Sequence, residues 1–102
     1  MMTFERVMGL DVIDDQAYQK YREAMEPMLN AVAGCFGYDF KIAEVLRSKT
    51  DDEINRVFTI EFPSKQVMQE FFSNPDYLII QKRYFVGSVK SRTPIAMYEK
   101  ET

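Results

Sequence analysis

The sequence predicts an α+β domain with the element order βαββαβ, and three observations carry that expectation. Stretches such as Phe36–Ile42 and Val57–Phe62 alternate side-chain character with the two-residue period of a strand. Other segments repeat apolar residues every three or four positions, the spacing of one helix face. Cap and turn residues, among them Asp14-Asp15, Gly34, Ser64 and Asn74-Pro75, fall at the joints between the two kinds of segment. That order describes a ferredoxin-like domain, four antiparallel strands with helices on one face, and the 102 residues hold one such domain over 1–102.

Phe4 to Val12 sets Phe4, Arg6, Met8, Leu10 and Val12 on one side of a first strand. Asp14 and Asp15 offer N-cap oxygens to a helix whose stripe runs through Ala17, Tyr21, Met25, Met28 and Val32. Pro27 removes a donor within that helix, so a kink or break is expected there. Gly34 and Gly37 bracket the exit. Phe36, Tyr38, Phe40 and Ile42 then share one face of a second strand, expected to reach about Leu46, and Ser48–Glu53 has the composition of a hairpin loop.

Val57–Phe62 is the third strand, ended by Pro63, which has no N–H for the ladder. Ser64 caps a helix carrying Val67, Met68, Phe71 and Phe72. Asn74-Pro75 stops it and opens another, with Tyr77, Leu78, Ile80, Gln81, Tyr84 and Phe85, as far as Gly87. Pro94–Tyr98 forms the last strand. Apolar residues on both faces of several strands leave one sheet face without cover, so a homodimer packed through the open sheet face is expected.

Composition narrows the function classes. The chain has no histidine and one cysteine, Cys35, so an internal disulfide, the usual haem ligation and most zinc sites are excluded. No cofactor and no metal are expected. The net charge of −3 argues against nonspecific nucleic-acid binding. No apolar run is long enough to span a bilayer, and Glu5 and Arg6 interrupt any signal-like start, so no membrane partner and a cytoplasmic location are expected. Lys82, Arg83, Lys90 and Arg92 form a basic stretch without an intervening acid, read as a solvated rim or a local anion site.

Arg83 is the first candidate for a functional residue, because a guanidinium grips a carboxylate or phosphate with two parallel hydrogen bonds. The competing reading is an ion pair with Glu61 or Asp39. Tyr77, six residues earlier, offers a hydroxyl or a ring edge. Tyr38 and Phe71 are further aromatic candidates for the wall of a ligand pocket. Asp39 becomes a usable base only if it is desolvated in a cavity, and a charge partner if it meets an arginine. Glu61 carries the same alternatives. Ser64 lacks any histidine to activate it and is read as a cap, and Cys35 as a small apolar residue.

With these residues placed, the chain resembles the dimeric α/β-barrel superfamily, and within it a family of small bacterial proteins of unknown function. The resemblance spans nearly the whole chain. It rests on Asp15, Tyr18, Tyr21 and the glycines around Cys35, and most specifically on Phe62-Pro63-Ser64, Phe71-Phe72, Asn74-Pro75, Tyr77 and Arg83. The family typically carries tryptophan where Phe71 stands. The resemblance implies a dimer with a pocket between sheet and helices and leaves the chemistry open. Two readings follow. One is a small-molecule-binding homodimer whose ligand is small, partly aromatic or apolar, and anionic. The other is a cofactor-independent monooxygenase or isomerase in which Asp39, Glu61, Tyr38 or Tyr77 moves a proton.

Overall fold

The computed structural model describes all of residues 1–102. Its elements are β1 (Met2–Val12), α1 (Asp15–Ala31), β2 (Cys35–Lys41), β3 (Arg56–Phe62), α2 (Lys65–Ser73), α3 (Pro75–Ile80), a π-helical turn (Gln81–Phe85) and β4 (Val89–Glu101). The strands form one antiparallel sheet in the order β2-β3-β1-β4, which is the expected ferredoxin-like arrangement. No helix is long and apolar enough to cross a membrane.

The core lies between the helices and one sheet face. Phe4, Met8 and Leu10 of β1 and Phe58, Ile60 and Phe62 of β3 are buried there. They meet Tyr18, Tyr21, Met25 and Leu29 of α1, with Phe71 and Tyr77 from the second helical layer. Each such side chain contributes about 1.5–3 kcal/mol by leaving water.

The caps follow the sequence closely. The Asp14 carboxylate accepts the Ala17 N–H at 3.1 Å, Ser64 Oγ accepts the Val67 N–H at 3.1 Å, and Asn74 Oδ1 accepts the Asp76 N–H at 2.8 Å. The C-terminus of α1 closes without a glycine in the special position. Ala33, not a glycine, takes the left-handed position, with φ of 61°. Gly34 N–H reaches Leu29 O at 2.9 Å and Ala33 N–H reaches Asn30 O at 3.0 Å, a Schellman closure. Gly34 is needed for a different reason: a Cβ there would stand 2.4 Å from Leu29 Cδ1 and 3.1 Å from the Glu61 carbonyl oxygen.

Five expectations are corrected. Pro27 neither breaks nor ends α1, which continues four residues past it to Ala31. Strand β2 stops at Lys41 rather than Leu46, and β4 is longer than Pro94–Tyr98, admitting Pro94 because it lies on a sheet edge. The helix expected to run unbroken to Gly87 divides into α3 and the π turn. Most consequentially, Phe36, Tyr38 and Phe40 do not share a face. The register of β2 against β3 shifts between Phe36 and Asp39. The bulge centres on Gly37, where a Cβ would come 2.5 Å from Thr59 Oγ1, and that oxygen instead accepts the Tyr38 N–H at 2.8 Å. Phe36 therefore faces the helices, while Tyr38 and Phe40 stack together on the open face, ring centroids 5.8 Å apart.

The two residues after Val32 give a paired test. Ala33→Gly is expected to stabilise the fold by about 0.5–1 kcal/mol, because it removes left-handed strain that exceeds the entropy glycine adds to the unfolded chain. Gly34→Ala is expected to destabilise it, since buried Leu29 has no room to yield. Urea denaturation of both variants checks the opposite signs.

Candidate functional site

Between the sheet and the helices lies a cavity of about 40 Å³ whose walls combine aromatic and aliphatic side chains with Arg6, Arg22 and Arg92. No carboxylate lines it. Arg6 occupies the helix-facing phase of β1, between Phe4 and Met8, so its side chain is carried into the core by strand geometry alone. Its guanidinium lies 5.0 Å from the centre of the Phe72 ring. The Arg6 Nε is buried and has no hydrogen-bond partner. Burial, and then the neighbouring charge of Arg92, weaken Arg6's hold on its proton relative to a free arginine. Neither residue has a carboxylate partner; the chain's arginine–carboxylate pairs are those of Arg22 and Arg56 with Asp39.

Tyr21 and Tyr77 meet across this space with their hydroxyl oxygens 2.7 Å apart. One proton serves the bond between them, and the other remains available to an acceptor. Burial is the first cause that pushes both phenols above their ordinary range, so both stay protonated at neutral pH. For Tyr77 the charges of Arg92 and Arg6 pull the other way, which records how near they stand. The Tyr21 ring is backed by Phe85, 5.0 Å away. Phe85 ends the π turn, where Val86 N–H reaches Gln81 O at 3.1 Å, and Ser88 Oγ donates to Tyr84 O at 2.7 Å. Widened turns of this kind recur where a helix must shape a site.

At the other end of the cavity Arg22 is only 8% exposed. Its Nε donates to Tyr18 Oη at 2.7 Å and its Nη1 to Asp39 Oδ2 at 3.2 Å, while Nη2 is buried without a partner. The Phe36 and Phe58 rings lie 4.0 and 4.8 Å from its guanidinium carbon. Arg6, Phe72, Tyr77 and Arg92 also wall an outer groove of about 430 Å³, so the cavity opens to the surface between the second helical layer and β4.

The sequence candidates separate on this map. Tyr77 lines the cavity. Phe71 is buried behind it, ring centroids 5.0 Å apart, outside the wall itself. Tyr38 stands on the opposite sheet face. Arg83 is exposed, with its guanidinium carbon 5.2 Å from the Tyr84 ring centroid, and pairs with neither Glu61 nor Asp39. Asp39 is clamped by Arg56 Nε and Nη2, each at 2.8 Å, and by Arg22. The Arg56 hydrogen bonds are the largest cause holding its carboxyl below the usual range, the wrong direction for a base at neutral pH. Glu61 points to the open face, where it accepts from Thr3 Oγ1 at 2.7 Å and meets Lys100 Nζ at 3.3 Å; the Thr3 bond leads in lowering its pKa. Neither acid borders the cavity. Missing from the sequence candidates were Arg6, Arg22 and Tyr21, while Arg92 belonged to the basic stretch read as a solvated rim or a local anion site. Arg6 carried a signal, a charge in the apolar phase of a strand. Arg22 carried a weaker one, four residues after Tyr18 and three before Met25. No three potential metal-ligating side chains converge anywhere in the chain.

These features define a ferredoxin-like α+β protein with an arginine- and tyrosine-lined cavity under its helices. The chain belongs to the DUF1330 family, a domain of unknown function, whose sequence model matches residues 6–94. No curated protein matches it. Among solved structures it is similar to a protein of unknown function from Rhodopseudomonas palustris, with 17% identity, TM-score 0.78, and coverage of 98% of this chain and 83% of that one. It is also similar to a dimeric protein of unknown function and ferredoxin-like fold from Bacteroides fragilis, with 15% identity, TM-score 0.62 and 96% of each chain covered. A hydroxynitrile lyase from Passiflora edulis aligns at 11% identity and TM-score 0.64, over 97% of this chain and 94% of that one. At these identities the likeness is one of fold.

The Asp39 clamp has a pH consequence. A carboxyl whose folded pKa lies below its unfolded value contributes stability above the unfolded pKa and loses it as pH falls through the folded one. Stability is therefore expected to drop as pH is lowered below about 4. In Asp39→Asn, less stable at neutral pH, that part of the acid dependence should be missing, which urea melts between pH 3 and 7 measure.

Proposed function

We propose that this protein is a small-molecule-binding homodimer whose cavity takes a small, partly apolar anion seated by Arg6 and Arg92 with the Tyr21–Tyr77 hydroxyl pair. The observation that carries the reading is a pair of neighbouring guanidinium groups facing one cavity with no carboxylate to balance them. An unpaired buried donor costs about 1–3 kcal/mol, and more when charged, and an anion in the cavity would recover that cost. The anchor thus moves from Arg83, expected from the sequence, to two arginines on strands. Aromatic and aliphatic walls favour an apolar body behind the charge. The enzymatic alternative, a cofactor-independent oxygenase or isomerase, has less support. Asp39 and Glu61, its candidate bases, are both engaged elsewhere, and the cavity offers donors rather than a carboxylate.

The homodimer is proposed through the open sheet face. Tyr38 and Phe40 are 67% and 52% exposed there, beside Val7, Val57 and Ala96. The charged residues at the Glu5 end of this face are already paired, and Asp11, at the other end, is buried and accepts from Asn55 Nδ2. Lys100 Nζ meets Glu5 Oε2 at 3.1 Å and Glu61 Oε1 at 3.3 Å, and the Tyr98 hydroxyl donates to Glu5. Covering the face would strand no isolated charge, and the Bacteroides fragilis neighbour is a dimer.

Two measurements test these readings. In thermal-shift titrations with benzoate and short monocarboxylates, wild type is expected to be stabilised. Arg6→Met and Arg92→Met should each weaken binding roughly tenfold or more, the worth of a charge-assisted hydrogen bond, while Arg83→Ala leaves it unchanged. Arg6→Met should also raise the stability of the unliganded protein, because it removes a half-buried guanidinium whose Nε has no partner. Equal binding by wild type and both variants would overturn the anion seat. Light scattering at micromolar concentration should give twice the chain mass for wild type and a lower mass for Tyr38→Asp/Phe40→Asp; a monomeric wild type would overturn the dimer.

A further inference from the structure

The cavity has a second polar end that an anion at Arg6 and Arg92 leaves unused. Arg22 is more than nine-tenths buried, lines the same space, and carries one nitrogen, Nη2, without a partner. Its other two nitrogens are committed to Tyr18 and Asp39. The rings of Phe36, Phe58 and Tyr18 sit around its guanidinium at 4.0, 4.8 and 5.1 Å, and they stabilise the charge without accepting an in-plane N–H bond. The unspent donor therefore asks for an acceptor.

Charge decides which kind. Arg6 and Arg92 have no carboxylate paired with them, and the charge of Arg92 weighs on the half-buried Arg6, so that end favours a full negative charge. Arg22 already meets a carboxylate, Asp39, and that acid is shared with Arg56. Little positive charge is left uncompensated there, and the surroundings are three aromatic rings, where a second anion would be stripped of water. A neutral oxygen meets the need at lower desolvation cost. Between the two ends the walls are apolar, formed by Met8, Leu10, Ile60 and the Tyr21 and Phe85 rings. With about 40 Å³ free inside and the opening on the Arg6–Arg92 side, a ligand enters with its neutral end first and leaves its charge at the mouth.

We infer that the ligand class is bifunctional: a small, narrow or flat monocarboxylate that carries a neutral acceptor oxygen, a ketone or comparable carbonyl, at the end remote from its charge. This rests on the anion seat proposed above and adds a polarity to it, carboxylate at Arg6 and Arg92, carbonyl at Arg22. Arg22 is then the residue that selects oxygen-bearing acids over hydrocarbon ones of the same shape.

The experiment compares matched pairs that differ only in that oxygen: 4-oxopentanoate against 4-methylpent-4-enoate, and 5-oxohexanoate against 5-methylhex-5-enoate, whose acetyl ends are small enough for the inner space. In each pair a C=CH2 group replaces C=O. For wild type, calorimetry is expected to show the oxo acid binding roughly tenfold tighter than its hydrocarbon twin in at least one pair, because only the oxo acid satisfies the buried donor. In Arg22→Met the ratio between oxo acid and hydrocarbon twin should fall to about one. The wild-type pairs decide the question even if Arg22→Met does not fold. Twins that bind equally well to wild type would overturn this inference and leave the anion seat standing. If no acid of either kind binds, the anion seat falls and the inference falls with it.

Discussion

Three guanidinium groups share the space between sheet and helices with no carboxylate in its walls, and the neighbouring structure is arranged around that imbalance. Arg22 and the Arg6 Nε are shut off from water there and must find compensation from the protein, whereas Arg92 stays exposed at the edge of the space. Arg22 obtains it from Asp39, the Tyr18 hydroxyl and three ring faces. Arg6 obtains a ring face from Phe72 and little else. Two donor nitrogens stay unsatisfied. Buried unpaired charge of this kind is a cost to folding, and its persistence in an otherwise well-packed core marks a place shaped for something other than stability. The buried tyrosine pair fits the same account, since it supplies one more proton without a protein acceptor.

The sheet separates two tasks by the alternation of its strands. One face carries the core and the cavity; the other carries the proposed interface. The bulge at Gly37 makes that separation possible on β2. Without it, Phe36, Tyr38 and Phe40 would lie on one face, as the sequence period suggests. With it, Phe36 turns inward to cover Arg22, and Tyr38 and Phe40 turn outward. The same displacement brings Asp39 to the helix side, opposite Phe58, where Arg22 and Arg56 hold it. A single inserted residue thus supplies both the clamp on one side and the aromatic patch on the other.

The sequence by itself determined the element order, the capping of the helices and the ferredoxin-like fold. Those follow from local rules: strand and helix periods, acceptor oxygens at the caps Asp14, Ser64 and Asn74, and the lost N–H of Pro63. It also made Tyr77 legible as a candidate, and Arg6 was readable as a charge in a buried phase. Tertiary structure decided the rest. Which arginines face a common cavity depends on how β1, α1 and β4 pack, and no spacing along the chain encodes the approach of Arg6 to Arg92. Arg83 matched the expected pattern, yet the turn that carries it leaves its side chain in solvent. The bulge at Gly37 was hidden for a related reason. A strand's period is a local property, but the register that breaks it is fixed by Thr59 on the neighbouring strand. Local chemistry selects the elements, and only their packing decides which polar groups are left without partners and therefore free to bind.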